Sequence, residues 1–94
     1  MKLTNALPLY SLNQNYPNPF NPSTAITFAV PTNGFVSLKV YDMIGREVVT
    51  LVNGVQDAGT HTAYFHAKNM ASGMYLYKLS AGTFTQVRKM LLVK

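Results

Sequence analysis

The chain has 94 residues, of which 48% are hydrophobic and 12% are charged, and it contains no cysteine. This length fits one domain, the apolar content is too high for a disordered chain, and the apolar runs are too short for a membrane-spanning helix. The lack of cysteine excludes a disulfide framework, a thiolate zinc site and a cysteine nucleophile.

The formal net charge is +5, and the basic residues are unevenly placed. Asp57 is the last acid, and the basic residues after it are Lys68, Lys78, Arg88, Lys89 and Lys94. This asymmetry has two interpretations, a solvated strand face or an electrostatic docking surface for an acidic partner. Composition alone favours the first.

Residues 1–13 show no clear periodicity and are interpreted as a linker remnant before a domain over residues 14–94. They contain no continuous apolar segment of the signal-peptide type. We therefore expect the signal peptide of an exported form to belong to a longer parent chain.

A proline-rich segment over residues 15–24 reads Asn-Tyr-Pro-Asn-Pro-Phe-Asn-Pro-Ser-Thr. Its prolines forbid a helix and remove backbone donors, and each preceding residue is pushed towards an extended conformation. We predict an ordered, extended turn, with Tyr16 and Phe20 available to pack onto the domain.

Beyond this segment the apolar residues alternate with a period close to two, which predicts half-buried strands. The runs of this type, separated by turn signals, are 26–30, 36–40, 46–52, 60–66, 75–79 and 83–93. Their spacing predicts an all-β, antiparallel sandwich of six to seven strands with negligible helix. Turns are expected at Asn53-Gly54, among other sites, and a tight hairpin at residues 80–83.

The inward positions of these runs define a predicted core. Its members are Ile26, Phe28, Val30, Val36, Leu38, Val40, Val48, Leu51, Phe65 and Leu79. Either Leu76 or its neighbours Tyr75 and Tyr77 belong to the core as well, because a one-residue register change exchanges the two faces of a strand.

The titratable residues are few and dispersed, so we predict no catalytic site, no metal site and no cofactor. His61 and His66 are five residues apart, which places them on opposite faces of a strand. Asp42 is expected to accept turn N–H groups and Glu47 to pair with a basic neighbour.

Tyr75 and Tyr77 share a strand face near Arg88 and Lys89, which imitates a stacking platform for single-stranded nucleic acid. Packing with the hydroxyls at the rim is the more common role of such a pair. We therefore expect no nucleic-acid partner.

Five motifs follow one another along the chain. They are the proline-rich opening with Ile26-Thr27-Phe28, Val40-Tyr41-Asp42 with Gly45-Arg46-Glu47-Val48, Ala58-Gly59-Thr60-His61, the Ser-Gly-x-Tyr-x-Tyr-x-Leu run of residues 72–79, and the basic-apolar ending of residues 88–94. In this order and spacing they resemble the type A C-terminal sorting domains of the type IX secretion system of Bacteroidetes and relatives. Phe65-His66-Ala67 stands where the family usually has Trp-Asp-Gly.

The resemblance implies an immunoglobulin-like sandwich without enzymatic activity. Such a domain directs an N-terminal passenger from the periplasm across the outer membrane to the cell surface or medium. The implied partners are the outer-membrane secretion translocon and a surface sortase. The residues to which the resemblance assigns recognition are Gly73, Tyr75, Lys78, Leu79, Arg88, Lys89 and Lys94.

In the terminal run, period two places Arg88 and Lys94 on one face with Met90 and Leu92. We expect this run to form an edge strand, where a partner reads backbone and positive charge together.

Two other functions stay open. A passive immunoglobulin-like module would only space or stabilise a multidomain secreted protein. A carbohydrate-binding module would need an exposed aromatic row with convergent polar groups, and the absence of tryptophan and the shortage of acids argue against it.

Overall fold

The computed structural model describes residues 9–94, in which seven strands form two antiparallel sheets. The strands are β1 (Ser11–Leu12), β2 (Ser23–Val30), β3 (Gly34–Tyr41), β4 (Glu47–Gln56), β5 (Gly59–His66), β6 (Gly73–Ala81) and β7 (Phe84–Leu92). One sheet has the order β1-β2-β5 and the other β4-β3-β6-β7. The chain crosses between the sheets after β2, β4 and β5, which is a Greek-key pattern of immunoglobulin-like sandwiches. The predicted all-β sandwich is confirmed.

Residues 9–94 contain no helix long and apolar enough to cross a membrane.

Side chains that alternate inward along the strands fill the space between the two sheets. All the predicted core residues on β2, β3, β5 and β6 are buried. The open question at residues 75–79 is settled in favour of the tyrosines, because Tyr75 and Tyr77 point inward and Leu76 lies half-buried on the outer face.

The core prediction fails at Val48, which is 41% exposed. Strand β4 has two register shifts relative to β3, so that Val40 lies opposite Val49 while Tyr41 lies opposite Glu47. Val48 is therefore the extra residue of a bulge, and a bulge breaks the inward–outward alternation. Leu51 occupies the second irregularity and packs against the core from a half-buried position.

The core also contains buried residues that the periodicity did not assign. These are Leu12, Phe20, Met90 and Leu92, with the small residues Ala63, Ala67 and Ala81. Residues 1–8 of the predicted linker lie outside the described residues, whereas Leu12 is in strand β1 and is 1% exposed. The folded sandwich therefore includes residues that precede position 14.

One turn prediction is wrong and one is confirmed. Asn53 and Gly54 continue strand β4, because they pair with Ser37 and Val36, and the turn follows at residues 57–58. The tight hairpin between β6 and β7 is present, with Ala81 opposite Phe84 and Gly82 at φ +58°.

Candidate functional site

The recognition residues implied by the resemblance lie on β6, β7 and the adjoining loops, but they do not form one exposed surface. Tyr75 is 8% exposed and its hydroxyl donates to the Ala71 carbonyl at 2.6 Å, while Leu79 is fully buried. Gly73 opens β6 with φ +148°. A partner of the folded domain cannot contact these two buried side chains without displacing the core.

Arg88 shares a strand face with Met90 and Leu92, as period two predicted, but this face is the inner one because both neighbours are fully buried. The Arg88 Nε donates to the Leu12 carbonyl and so ties β7 to β1. The expectation that Arg88 presents its charge outward is therefore wrong. Lys94 is exposed, and its Nζ donates to the Lys68 carbonyl at 2.6 Å.

Lys78 and Lys89 alternate outward on the four-stranded sheet, where Lys39 of β3 joins them. Lys39 lies directly opposite Lys78, and Lys89 lies diagonally from Lys78 because Lys78 pairs with Val87 and Lys89 with Leu76. We call Lys39, Lys78 and Lys89, with Leu76 and Val87 between them, the lysine face.

Two contacts moderate the charge of the lysine face. Glu47 lies 3.4 Å from the Lys39 Nζ, and the Lys78 Nζ lies 6.0 Å from the centroid of the Tyr41 ring. The second distance is near the limit for a cation–π interaction. The pKa of the Glu47 carboxyl is lowered, first by a hydrogen bond from Thr50 at 2.6 Å and then by Lys39.

The proline-rich segment, together with Gln14 just before it, covers the outer edge of β7 over residues 89–93. The Phe20 N–H donates to the Leu91 carbonyl at 2.9 Å, and the Phe20 carbonyl accepts from the Val93 N–H at 3.0 Å. The Asn18 side chain accepts from the Leu91 N–H at 3.0 Å, and the Gln14 side chain donates to the Lys89 carbonyl at 2.7 Å. β7 is an edge strand as predicted, but a partner cannot add to this part of the edge while the segment is in place.

Tyr77 anchors the same segment from the core. Its hydroxyl donates to the Asn13 carbonyl at 2.7 Å and accepts from the Asn15 N–H at 2.8 Å. The Asn15 side chain, itself buried, bonds to Thr24 at 3.0 Å and to the Pro17 carbonyl at 3.1 Å. Burial raises the pKa of the Tyr77 hydroxyl.

Sequence reasoning missed these anchoring roles of Asn15, Asn18 and Tyr77. The available signal was the composition of the segment, because asparagine side chains supply the hydrogen-bonding groups that prolines lack. The ordered, extended turn is present, and the peptide bonds before Pro17, Pro19 and Pro22 are cis. Of the two aromatic residues available to pack onto the domain, Phe20 is buried, whereas Tyr16 is 81% exposed and does not pack onto it.

The polar residues considered for chemistry have local structural partners. Asp42 accepts from the backbone N–H groups of Ile44 and Arg46 at 3.0 and 2.9 Å, as predicted, and the Arg46 hydrogen bond is the largest cause of its lowered pKa. His61 stacks on Phe28 on the inner side of β5, and His66 faces outward, so the predicted opposite faces are confirmed. Residues 9–94 contain no cluster of three potential metal ligands.

Tyr75 and Tyr77 do not form a stacking platform, because both rings are buried. The exposed aromatic pair is instead Tyr16 and Tyr64, which flank Ala25 on the outer face of the three-stranded sheet. This shallow groove is apolar, and no charged side chain lines it.

These features define a small β-sandwich whose distinctive surfaces are a lysine face and a covered terminal strand. The chain belongs to the family of secretion system C-terminal sorting domains, because the family model matches residues 14–94. This membership confirms the resemblance that the five motifs carry. The family's role is that of a sorting signal on exported proteins, which attaches to a passenger and acts with a secretion system.

A solved structure shares the fold over 90% of this chain, with a TM-score of 0.59 and 20% sequence identity. It is PorZ of Porphyromonas gingivalis, described as an essential bacterial surface component of the type-IX secretion system. The match spans 11% of that chain, so the likeness concerns one domain of a much longer protein. No curated protein matches the chain.

Proposed function

We propose that this domain is the signal by which a type IX secretion system carries an N-terminal passenger from the periplasm across the outer membrane. The passenger then reaches the cell surface or the medium, and the domain itself has no catalytic activity. The observation that carries the proposal is the family match over residues 14–94, which includes six of the seven strands.

The geometry of the sandwich supports this role by separating its two ends. Tyr10 stacks on Phe84 with 5.0 Å between ring centroids, beside the β6–β7 hairpin. The last residue of β7, Leu92, lies opposite Gly73 at the other end of the sheet. Tyr10 therefore lies at the hairpin end, away from Leu92, and Lys89 and Lys94 of the terminal motif are exposed for contact with the translocon and the surface sortase.

The recognition residues divide into two groups in this proposal. Lys78, Lys89 and Lys94 have exposed or half-exposed side chains and act by direct contact with the secretion apparatus. The others maintain the shape of β6 and β7, and they are Gly73, Tyr75, Leu79 and Arg88.

The test is a reporter with a signal peptide at its N-terminus and this domain at its C-terminus, expressed in a type IX host. We expect the intact fusion in the medium or on the cell surface, and a fusion that lacks residues 88–94 in the periplasm. Because the deletion removes the fully buried Met90 and Leu92, circular dichroism of both domains must accompany the assay. Equal export of both fusions would contradict the sorting role and favour the passive structural module.

A further inference from the structure

The lysine face combines charge and apolar surface in a way that the fold itself does not require. Lys39 and Lys78 lie directly opposite each other on neighbouring strands, and like charges in this arrangement are destabilising. Neighbouring residues Leu38, Val40, Tyr77 and Leu79 are fully buried, so the lysines are held on the outer face by alternation.

The chain's own acids pair with only one of the three lysines of this face. The acids of the chain are Asp42, Glu47 and Asp57. Asp42 is bonded to Arg46 and to turn amides, Glu47 pairs with Lys39, and Asp57 lies in the β4–β5 turn. Within residues 9–94, no carboxylate pairs with Lys78 or Lys89.

Aliphatic side chains fill the spaces between the lysines. Leu76 is half-buried, Val87 is 48% exposed, and Leu91 continues the same face beside Met74. An apolar centre with charges around it is the composition of a protein–protein contact, in which complementary charges set orientation and association rate.

We propose that the lysine face docks an acidic protein surface of the secretion apparatus, one that places carboxylates around an apolar patch. This inference rests on the proposed sorting function and names the chemistry of its partner. Charge complementarity carries it, because two of the three lysines have no carboxylate of their own.

The composition of the face favours a protein over a nucleic acid. Neither arginine of the chain is available on it, because Arg88 is bonded to Leu12 and Arg46 to Asp42. Surfaces that bind single-stranded nucleic acid combine basic side chains with exposed aromatic rings on which bases stack, whereas the Tyr41 ring lies half-buried near Lys78.

The main test compares reporter fusions that carry Lys78→Glu, Lys89→Glu or both with one that carries Lys68→Glu. Lys68 is an exposed loop residue outside the lysine face, so its reversal makes the same charge change elsewhere. We expect the double variant to lower export by at least about tenfold, since like charges that face each other at an interface oppose binding. The neutral Lys78→Gln/Lys89→Gln variant should lower it by only about two- to fivefold.

A loss of folding stability does not confound this comparison of export between variants. Lys78→Glu places a carboxylate opposite Lys39 and removes the like-charge pair, so the melting temperature of the variant domain should be unchanged or higher. Loss of export by a domain of full stability therefore reports lost contact.

A second test replaces Val87 with a photoreactive residue, so that crosslinking identifies the molecule bound to the lysine face. The same replacement at Thr62, on the opposite sheet, is the control. We expect a protein crosslink at Val87 whose attached peptide contains Asp or Glu, and whose yield falls in the Lys78→Glu/Lys89→Glu background. Full export of the double variant, or a crosslink at Val87 to lipid or nucleic acid, would overturn the proposal. In those cases, export of the fusion with the unsubstituted domain would still support the sorting function. If that fusion were not exported either, the sorting function itself would be contradicted.

Discussion

The Asn18 side chain accepts a hydrogen bond from the Leu91 backbone N–H at 3.0 Å, across 73 residues of sequence. This contact joins the first and the last motif of the family pattern into one structural unit. The uncovered edge of a strand is a template for unwanted pairing, and here the proline-rich segment covers the end of β7.

We expect Asn18→Ala to destabilise the domain by about 0.5–1.5 kcal/mol, the usual contribution of one hydrogen bond. Hydrogen exchange of the Leu91 amide should accelerate, because its acceptor is gone. Asn21→Ala is the control, since Asn21 is an exposed residue of the same segment without a side-chain hydrogen bond to another described residue. Equal exchange of Leu91 in both variants would contradict the proposed role of Asn18.

Tyr77→Phe should cost more, about 1–3 kcal/mol, because it leaves the buried Asn15 N–H and the Asn13 carbonyl without their partner. Urea unfolding measures the loss. Tyr64→Phe is the matched control, because the Tyr64 side chain is 79% exposed, and its stability should stay within about 0.5 kcal/mol of the parent. A Tyr77→Phe domain as stable as the control would show that the anchor is dispensable.

Gly73→Ala should destabilise the domain by about 1–3 kcal/mol, because φ +148° is unfavourable for any residue with a Cβ. An added Cβ would meet no atom within 4 Å, so strain and not a clash is the cause. Gly54→Ala, in open space inside β4 without a positive φ, should be neutral or slightly stabilising. Thermal unfolding of the two variants separates these cases, and equal melting temperatures would refute the strain argument.

Acid should destabilise the domain through Asp42 and Glu47, because hydrogen bonds lower the pKa of both carboxyls below their unfolded values of 3.8 and 4.5. A lowered folded-state pKa gives stability that is present above the unfolded value and is lost as the pH falls through the folded value. The melting temperature should therefore decrease from about pH 5 to about pH 3.

The Asp42→Asn/Glu47→Gln variant should show a shallower decrease over that range than the parent. Asp57→Asn is the control, because the Asp57 carboxylate makes no hydrogen bond or ion pair with another described residue, and it should keep the parental slope. Parallel curves for the parent and the double variant would contradict this assignment.

Much of the sandwich could be predicted because period two is a direct consequence of strand geometry. Phe28 and Leu38 belong to runs in which inward and outward positions alternate without interruption, and both residues are buried as predicted. Val48 could not be assigned correctly, since a bulge depends on how β4 pairs with β3 and leaves no mark in the spacing.

The candidate site was less predictable, because the exposure of its side chains depends on which face of each strand packs against the other sheet. The terminal run shows that Arg88, Met90 and Leu92 share a face, but only the packed sandwich shows that this face is the inner one. The lysine face likewise depends on the pairing of β3 with β6, which joins residues 39 positions apart in sequence.

The central claim is that the folded domain is sufficient to direct export. Its most direct test is the location of a signal-peptide-bearing reporter with and without this domain, in a type IX host and in the same host with the translocon disabled. We predict reporter outside the cell only when both the domain and a working translocon are present. Periplasmic retention of the fusion in the intact host, or equal export without the domain, would contradict the claim.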